Sequence, residues 1–202
     1  MGIENNPDFG AIFIDIGGGT TDIAVVRNGG LEGTVMFALG GRAFTKRISQ
    51  ELKMEFSKAE ELKIKYSTKK LNEKGTHKLN TILEEDCRVW LSGLEIALEN
   101  FSSSRIDLLP SRILLCGGGS GLPGIYRALS DDGWYRNLPF AKKPTVGFIQ
   151  PRDVINIVDR TKRLNNPQDV TPMGLANLAI DMNSDEAVLN DMLKKAVKMI
   201  QK

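Results

Sequence analysis

The sequence is poor in the residues that build metal centres and disulfide frameworks. Its 202 residues include two cysteines and one histidine. Cys87 and Cys116 lie far apart in the chain and form no C-x-x-C pair, so neither a zinc site nor a disulfide framework is expected. This use of cysteine fits a protein of the reducing cytoplasm. The lone His77 stands in a polar stretch and is expected to be a solvated loop residue.

Long apolar runs and an excess of one charge are missing as well. No segment approaches the roughly 18 apolar residues of a membrane span, and the start lacks the basic and then apolar pattern of a signal peptide. Lys and Arg number 27 and Asp and Glu 25, which leaves a net charge of +2. This balance does not favour a nucleic-acid partner, and none is expected. With 41% hydrophobic residues, the chain can bury a core.

The chain opens with three short β-rich runs. A run from Ala11 to Ile16 ends in Gly17-Gly18-Gly19, and a second run, Ile23 to Val26, follows closely. This order predicts a hairpin with a glycine-rich bend. The pair Asn28-Gly29 predicts a tight turn into a third strand at about Gly33 to Leu39, because both residues tolerate positive φ.

Helical patterns fill the middle of the chain. Ser57 and Glu60 have the spacing of a capping box, which predicts a helix start. Further along, apolar residues recur at helical spacing and place Trp90 in the core. The expected elements are helices from Gly41 to Met54, from Ser57 onward and from Leu79 to Phe101, with a polar loop or hairpin at Ser67 to Thr76.

A second unit of strand, glycine turn and helix follows. Arg112 to Cys116 has the pattern of a buried strand, and Gly117 to Gly121 ends it. The remaining expected elements are a helix from Pro123 to Leu129, a strand from Thr145 to Ile149, a helix capped by Thr171-Pro172 that runs to Ile180, and a last helix near Asp185 to Ile200.

The first glycine turn carries the residue types that phosphate and Mg²⁺ need at close range. Glycine lets backbone amides approach phosphate oxygens, threonine hydroxyls add donors, and Asp22 can orient a nearby hydroxyl. Asp15, at the end of a strand, can hold Mg²⁺ directly or through water. A glycine triplet alone is more often a tight hairpin without a ligand, and this alternative stays open for the turn by itself. The candidate residues are Asp15, Gly17, Gly18, Gly19, Thr20 and Thr21.

The second glycine turn favours a binding site. It directly follows a buried strand, which is where α/β sheets bind ligands, so the two turns together predict one nucleotide between them. The Gly-Lys-Ser/Thr of a Walker sequence is absent, so the site differs from that of P-loop proteins. The candidate residues of this turn are Gly117, Gly118, Gly119 and Ser120.

These segments, in this order, resemble the superfamily of actin, the heat-shock chaperones and the sugar kinases. Asp15 to Asp22 is similar to its second phosphate loop, Cys116 to Leu122 to its adenosine loop, and Pro172 to Ala176 to the second helix that connects its lobes. Within the superfamily, Leu39 to Gly41 and Leu62 to Tyr66 most resemble the FtsA family of bacterial cell division. The actin homologues MreB and PilM are close rivals.

The resemblance implies an α/β fold, namely an actin-like (ribonuclease H-like) nucleotide-binding lobe with a mixed sheet flanked by helices and a smaller helical insertion. The implied division is a nucleotide-binding subdomain at residues 1–40 and 103–182, a mainly helical insertion at 41–102 and an amphipathic helix at 183–202. The superfamily's first phosphate loop has no counterpart here, so the chain resembles the second lobe only. Little ATP hydrolysis is expected from this lobe alone, no catalytic residue is assigned, and whether the chain is an enzyme stays open.

The resemblance also implies ATP and Mg²⁺ as cofactors. The family's contacts to ribose and adenine fall on Glu60 and Lys63, three residues apart on one helix face. Without the resemblance, an exposed ion pair explains the same two residues equally well.

The implied function is that of an ATP-binding cytoskeletal protein of cell division, which self-associates into filaments and links an FtsZ-like division protein to the membrane. The alternatives are a part of a sugar-kinase phosphotransferase and a scaffold whose turns bind no nucleotide. The implied location is the cytoplasm, at the inner face of the cell membrane if the C-terminal helix docks there. That helix has an apolar stripe suited to a membrane surface, although packing on its own domain is the commoner use of such a stripe. The stripe consists of Leu189, Met192, Leu193, Ala196, Val197 and Ile200.

Overall fold

The computed structural model describes residues 10–102 and 108–182, and its centre is a mixed sheet of five strands. The strand order is β3-β2-β1-β4-β5. β1, β2 and β3 are antiparallel neighbours, whereas β4 runs parallel to β1 and β5 runs parallel to β4. The predicted α/β class with a mixed sheet is therefore confirmed. The strands are β1 (Gly10–Ile16), β2 (Thr21–Arg27), β3 (Gly30–Phe37), β4 (Arg112–Cys116) and β5 (Thr145–Phe148).

Alternation of side chains sets the two faces of the sheet. In β1, Ile12, Ile14 and Ile16 are fully buried on one face, while Asp15 belongs to the opposite face. The tight turn at Asn28-Gly29 has positive φ at both residues, 51° and 75°, as the sequence predicts. Because the turn contains only these two residues, β3 begins earlier than the predicted Gly33.

Three helices follow β3, namely α1 (Gly41–Glu51), α2 (Phe56–Ser67) and α3 (Glu73–Ser102). Lys53 has a positive φ of 49°, which ends α1 before the predicted Met54. The predicted loop at Ser67 to Thr76 is partly wrong, since α3 already begins within it. His77 therefore lies in a helix rather than in a loop.

The predicted capping box at the start of α2 is not formed. The helix begins at Phe56, so Ser57 already lies within its first turn, and the N-cap Glu55 makes no side-chain cap hydrogen bond. Glu60 instead forms an ion pair with Lys63. The sequence thus locates α2 correctly but assigns the wrong contacts to its first turn.

Two further helices follow β4. The helix α4 (Pro123–Ser130) is confirmed, and residues 170–182, called α5, are helical up to the end of the described part. Thr171 does not cap α5, because α5 already begins at Val170, directly after a 3-10 turn at Pro167–Asp169. At the start of that turn, the Asp169 carboxylate accepts the N–H of Asn166 at 3.0 Å. The predicted helix at Asp185 to Ile200 lies outside the described residues. Within the described ranges, no helix has both the length and the apolar character needed to span a bilayer.

Most of the buried apolar side chains of sheet and helices form one connected cluster. Trp90 of α3 is fully buried, as predicted, and its indole N–H donates to the hydroxyl of Thr21 at 2.9 Å. Phe44 and Ile48 of α1 are fully buried in the same cluster. Helices α1 and α3 therefore dock on the isoleucine face of the sheet, and both glycine turns lie at one edge of it.

Candidate functional site

The two glycine turns meet because they follow parallel neighbouring strands. The register between β1 and β4 runs to Asp15 opposite Cys116, directly before both turns. Gly17-Gly18 and Gly117 to Gly121 line one cleft of about 620 Å³, here called the glycine cleft. This volume is typical of small-molecule sites. The sequence predicts this meeting correctly.

Helix α2 and the turn before α5 form the other walls. Ile64 of α2 is 52% exposed and gives the cleft an apolar surface. The contribution of the turn before α5 is not among the sequence predictions, although Asn166-Pro167 followed by Asp169 is a typical helix-start pattern. The lining residues of these walls are Glu60, Lys63, Ile64, Ser67 and Thr68 of α2 and Asn166, Pro167 and Gln168 of the turn.

The start of α1 holds the first glycine turn. The N–H groups of Gly41 and Arg42 donate to the carbonyl oxygens of Gly17 and Gly18 at 2.9 and 2.8 Å. A Cβ at Gly40 would lie 2.6 Å from the carbonyl oxygen of Gly17, so this approach requires glycine. A Cβ at Gly18 would lie 3.7 Å from Nε of Arg42. Arg42 is thus a cation beside the turn that the sequence analysis did not identify.

The glycines of the second turn have different roles. Gly117 has a φ of +81°, and a Cβ there would lie 2.1 Å from Oδ1 of Asp15. A Cβ at Gly119 would lie 2.4 Å from the Ile16 side chain, whereas a Cβ at Gly118 would meet no atom within 4 Å. The hydroxyl of Ser120 is buried and donates to the carbonyl of Gly117 at 2.7 Å. Gly118 is therefore the position that opens onto the cleft.

The two threonines of the first turn differ in their surroundings. Thr20 donates to Oδ2 of Asp22 at 2.9 Å, so Asp22 does orient a hydroxyl of the turn. Thr21 is fully buried, donates to the carbonyl of Leu39 at 2.7 Å and accepts from Trp90. The prediction that the Thr21 hydroxyl donates to phosphate is therefore wrong, because that hydroxyl is used inside the core. Gly19 is exposed at the tip of the turn, beside the cleft lining.

Asp15 lies outside the glycine cleft. It lines a separate groove with Asp22 and Cys116, and its Oδ2 accepts a hydrogen bond of 2.5 Å from the Thr171 hydroxyl. In residues 10–102 and 108–182, no group of three or more His, Cys, Asp or Glu could hold a metal ion. Magnesium at Asp15 would therefore depend on phosphate oxygens and water besides this carboxylate, which is its common mode in proteins.

Glu60 and Lys63 are not the exposed ion pair of the alternative interpretation. Lys63 is only 8% exposed, and its ammonium lies 2.8 Å from Oε2 of Glu60. Partial burial would raise the pKa of Glu60, but hydrogen bonds from Lys63 and Thr45 hold it below its ordinary value. Glu60 therefore lines the cleft as a carboxylate.

The two cysteines are free, buried and unsuited to nucleophilic chemistry. Burial raises the pKa of Cys87 and of Cys116 to about 12, and the nearby Asp15 charge adds to the effect at Cys116. Cys87 also lines a second cavity of about 430 Å³ between α3 and α4. That cavity includes neither glycine turn, so the glycine cleft remains the candidate site.

Comparison with known proteins places the chain in a family. The family model described as "Cell division protein FtsA" matches residues 12–174. The FtsA of Bacillus subtilis (strain 168) is 30% identical over 165 residues, which cover 74% of this chain and 37% of that protein. The FtsA of Enterococcus faecalis (strain ATCC 700802 / V583) is 28% identical over 181 residues, with 81% and 41% covered. The chain thus spans about two fifths of the length of these relatives.

Solved structures share the fold at low sequence identity. A PilM-PilN type IV pilus biogenesis complex matches with a TM-score of 0.63 and 22% identity, covering 84% of this chain and 46% of that chain. MreB 5 of Spiroplasma citri bound to AMPPNP matches with a TM-score of 0.57 and 19% identity, covering 90% and 56%. The predicted actin-like fold is confirmed. With the family match over residues 12–174, the chain belongs to the FtsA family of cell division proteins.

Proposed function

We propose that this chain is a nucleotide-binding lobe that binds ATP with Mg²⁺ in the glycine cleft. The observation that supports it most is the meeting of two distant glycine turns, Gly17-Gly18 and Gly117 to Gly121, in one cleft of about 620 Å³. Glycine backbone can approach phosphate and adenosine where a side chain would collide. Within this lobe, residues 1–40 and 103–182 form the nucleotide-binding subdomain and residues 41–102 the helical insertion.

The nucleotide lies across the cleft from one turn to the other. Its phosphates lie at Gly17-Gly18, where Arg42 adds a positive charge, and its adenosine lies against Gly118. Ribose hydroxyls donate to the carboxylate of Glu60, and Lys63, which also lines the cleft, contacts the adenosine. The base contacts the exposed side chain of Ile64. Gly19 and Thr20 flank the phosphates, while Gly117, Gly119 and Ser120 hold the adenosine turn in shape.

Asp15 lines the neighbouring groove, but its Oδ1 lies beside Gly117, which lines the glycine cleft. From this border position Asp15 is the proposed protein ligand of magnesium, directly or through water. Bound Mg²⁺ would offset the phosphate charge. Occupation of this position by the metal requires the Asp15 carboxylate to share or release the hydroxyl of Thr171, which donates to it at 2.5 Å.

At the level of the cell, the proposed function is to assemble into filaments and to link an FtsZ-like division protein to the cytoplasmic face of the membrane. The support is membership of the FtsA family. An actin-like structural neighbour, MreB 5 of Spiroplasma citri, is bound to AMPPNP, which supports nucleotide binding by this fold. The C-terminal stretch, residues 183–202, is the proposed membrane contact.

Calorimetric titration with Mg-ATP tests the cleft. Gly118→Val is expected to weaken affinity at least about tenfold, because its side chain enters the space proposed for adenosine. Gly174→Val is the matched control, since a Cβ at Gly174 also meets no atom within 4 Å and the residue lies outside the cleft. A wild type that does not bind Mg-ATP, or a Gly118→Val variant with unchanged affinity, would overturn the proposal.

A second pair of variants tests the metal position. Asp15→Ala is expected to weaken Mg-ATP binding while leaving metal-free ATP binding nearly unchanged, because only the metal-dependent part of the affinity uses the carboxylate. Thr171→Val removes the same hydrogen bond but keeps the carboxylate, so it should retain the Mg²⁺ effect. Sedimentation of the wild type with an FtsZ-like protein, with and without ATP, tests the proposed partner.

A further inference from the structure

We propose that residues 151–165, here called the basic loop, form a second membrane contact and insert an apolar tip into a surface of anionic lipid. This contact rests on the proposed function only in that the protein works at a membrane. It is separate from the glycine cleft and from residues 183–202, which are the other proposed membrane contact.

The tip of the basic loop exposes apolar side chains to solvent. Val158 is 81% exposed and Ile155 is 39% exposed. Within residues 10–102 and 108–182, no large hydrophobic side chain is more exposed than that of Val158. A single exposed apolar residue is common on protein surfaces, so the residues around Val158 decide what it can bind.

The residues around the tip are mainly cations. The basic loop has four basic and two acidic residues, so this short segment has the same net charge, +2, as the whole chain. All four basic residues are exposed, namely Arg152, Arg160, Lys162 and Arg163. Their long side chains can reach lipid phosphates while apolar atoms of the tip enter the boundary of the acyl chains.

Both acidic side chains of the basic loop are used to hold its shape. Oδ2 of Asp153 accepts the N–H of Gln150 at 2.8 Å. Oδ1 of Asp159 accepts the N–H and the hydroxyl of Thr161 at 2.8 and 2.6 Å, and its Oδ2 accepts two further backbone N–H groups of the loop. The Thr161 hydroxyl and these backbone amides lower the pKa of Asp159 to about 2. The carboxylates are therefore engaged within the loop, whereas the basic side chains are exposed.

The position of the basic loop allows it to share one surface with residues 183–202. Because β5 runs parallel to β4, the loop leaves the sheet at the edge that carries the glycine turns. It leads into the turn before α5, and α5 continues to residue 182. A helix of this length spans about 20 Å. Two contacts at such a spacing bind a membrane more stably than either one alone.

The composition of the tip favours lipid over a protein partner. Protein interfaces have a contiguous apolar core from which charged residues are depleted. In the basic loop, single apolar side chains instead alternate with exposed cations, which is the pattern that anionic lipid attracts. The contact should therefore need anionic headgroups and should weaken as salt is added.

A fluorescent probe at the tip tests the contact in the full chain. Cys87 and Cys116 are buried and have a pKa of about 12, so Val158→Cys offers one thiol that an NBD dye can label under native conditions. With vesicles of equal parts phosphatidylcholine and phosphatidylglycerol, the emission should shift to the blue and be quenched by lipids with a spin label in the acyl chain. Leu31→Cys is the control, since Leu31 is 64% exposed at the opposite edge of the sheet, and its dye should stay in water.

Two results of the probe experiment would overturn the proposal. A dye at position 158 that stays in water while the protein sediments with the vesicles would leave residues 183–202 as the membrane contact. A blue shift that grows with protein concentration in the absence of vesicles would make the tip a contact between copies of this chain.

Vesicle sedimentation separates the two membrane contacts. Val158→Asp and Arg160→Glu should each weaken binding to the anionic vesicles at least about fivefold, because one basic residue near such a surface contributes about that factor. Lys74→Glu, at an exposed lysine near the start of α3, is the matched charge reversal and should bind as the wild type does. Leu193→Asp disrupts the apolar stripe of the other contact and should leave weaker binding that still depends on Arg160.

The outcomes distinguish this contact from the proposed function. Wild-type binding by both Val158→Asp and Arg160→Glu would overturn the loop contact, whatever Leu193→Asp does. A wild type that does not bind anionic vesicles would overturn both membrane contacts. Failure to bind Mg-ATP would overturn nucleotide binding in the glycine cleft, and the probe at position 158 would still decide whether the loop meets lipid.

Discussion

The indole N–H of Trp90 donates a 2.9 Å hydrogen bond to the hydroxyl of Thr21, the first residue of β2. The same hydroxyl donates to the carbonyl of Leu39 at 2.7 Å. Three segments are joined at this point, namely α3, the start of β2 and the residues before α1. The glycine turn is therefore supported from inside the core as well as by the start of α1.

Replacing Thr21 by valine should destabilise the fold without a direct effect on ligand contacts. The change keeps the shape but leaves the Trp90 N–H and the Leu39 carbonyl without their partner, at a cost of about 2–4 kcal/mol. Urea denaturation followed by Trp fluorescence measures it. Thr20→Val, at a partly exposed neighbour, should change the free energy of unfolding by less than about 0.5 kcal/mol. Equal effects of the two variants would contradict the assigned role of Thr21.

Substitution by alanine should destabilise the protein at Gly117 but not at the neighbouring Gly118. At Gly117, φ is +81° and a Cβ would collide with Asp15 and with the backbone of Ile16, so Gly117→Ala should lose about 3 kcal/mol or more. At Gly118 no atom lies within 4 Å of the added methyl group, so Gly118→Ala should fold with nearly unchanged stability. Thermal unfolding of both variants checks the pair. A Gly118→Ala variant less stable than Gly117→Ala would be inconsistent with the structure.

Features encoded by neighbouring residues are predictable from this sequence. Apolar runs that end in glycine identify β1 and β4, and two parallel neighbours necessarily bring their following turns to one edge. Given the parallel pairing of β1 and β4, the meeting of Gly17-Gly18 with Gly117 to Gly121 follows. The start of α3 was missed because the polar composition of Ser67 to Thr76 is the same for an exposed helix turn and for a loop.

Contacts between distant residues are not predictable in this way. Thr21 and Trp90 are far apart in sequence, and only the docking of α3 turns a candidate phosphate donor into a core hydrogen bond. Likewise, Lys63 is buried because α1 packs on α2 and offers the carbonyl of Gly41. The bond between Thr171 and Asp15 depends on where α5 returns to the sheet. No local pattern contains these partners.

The thiols should be inert in the folded protein. Cys87 and Cys116 each have a pKa of about 12, so at pH 8 only about one thiol in 10⁴ is ionised. Reaction with Ellman's reagent should be more than about 10³-fold slower than for an exposed cysteine, and two thiols should react rapidly in denaturant. Rapid modification of either thiol under native conditions would show that burial at that position is not maintained.

Lowering the pH should destabilise the folded protein, because it protonates the carboxylate of Glu60. Its folded-state pKa lies below the ordinary value of about 4.5, so its carboxylate contributes stability that is present above about pH 4.5 and is lost as pH falls through the lower folded value. Urea midpoints measured from pH 7 down to pH 3 should therefore fall more steeply for the wild type than for Glu60→Gln, which carries no titrating group at this position. Glu61→Gln, at an exposed neighbour, controls for the loss of one negative charge and should keep the steeper wild-type profile. If Glu60→Gln has the same pH profile as the wild type, the hydrogen bonds from Lys63 and Thr45 do not favour the ionised form of Glu60.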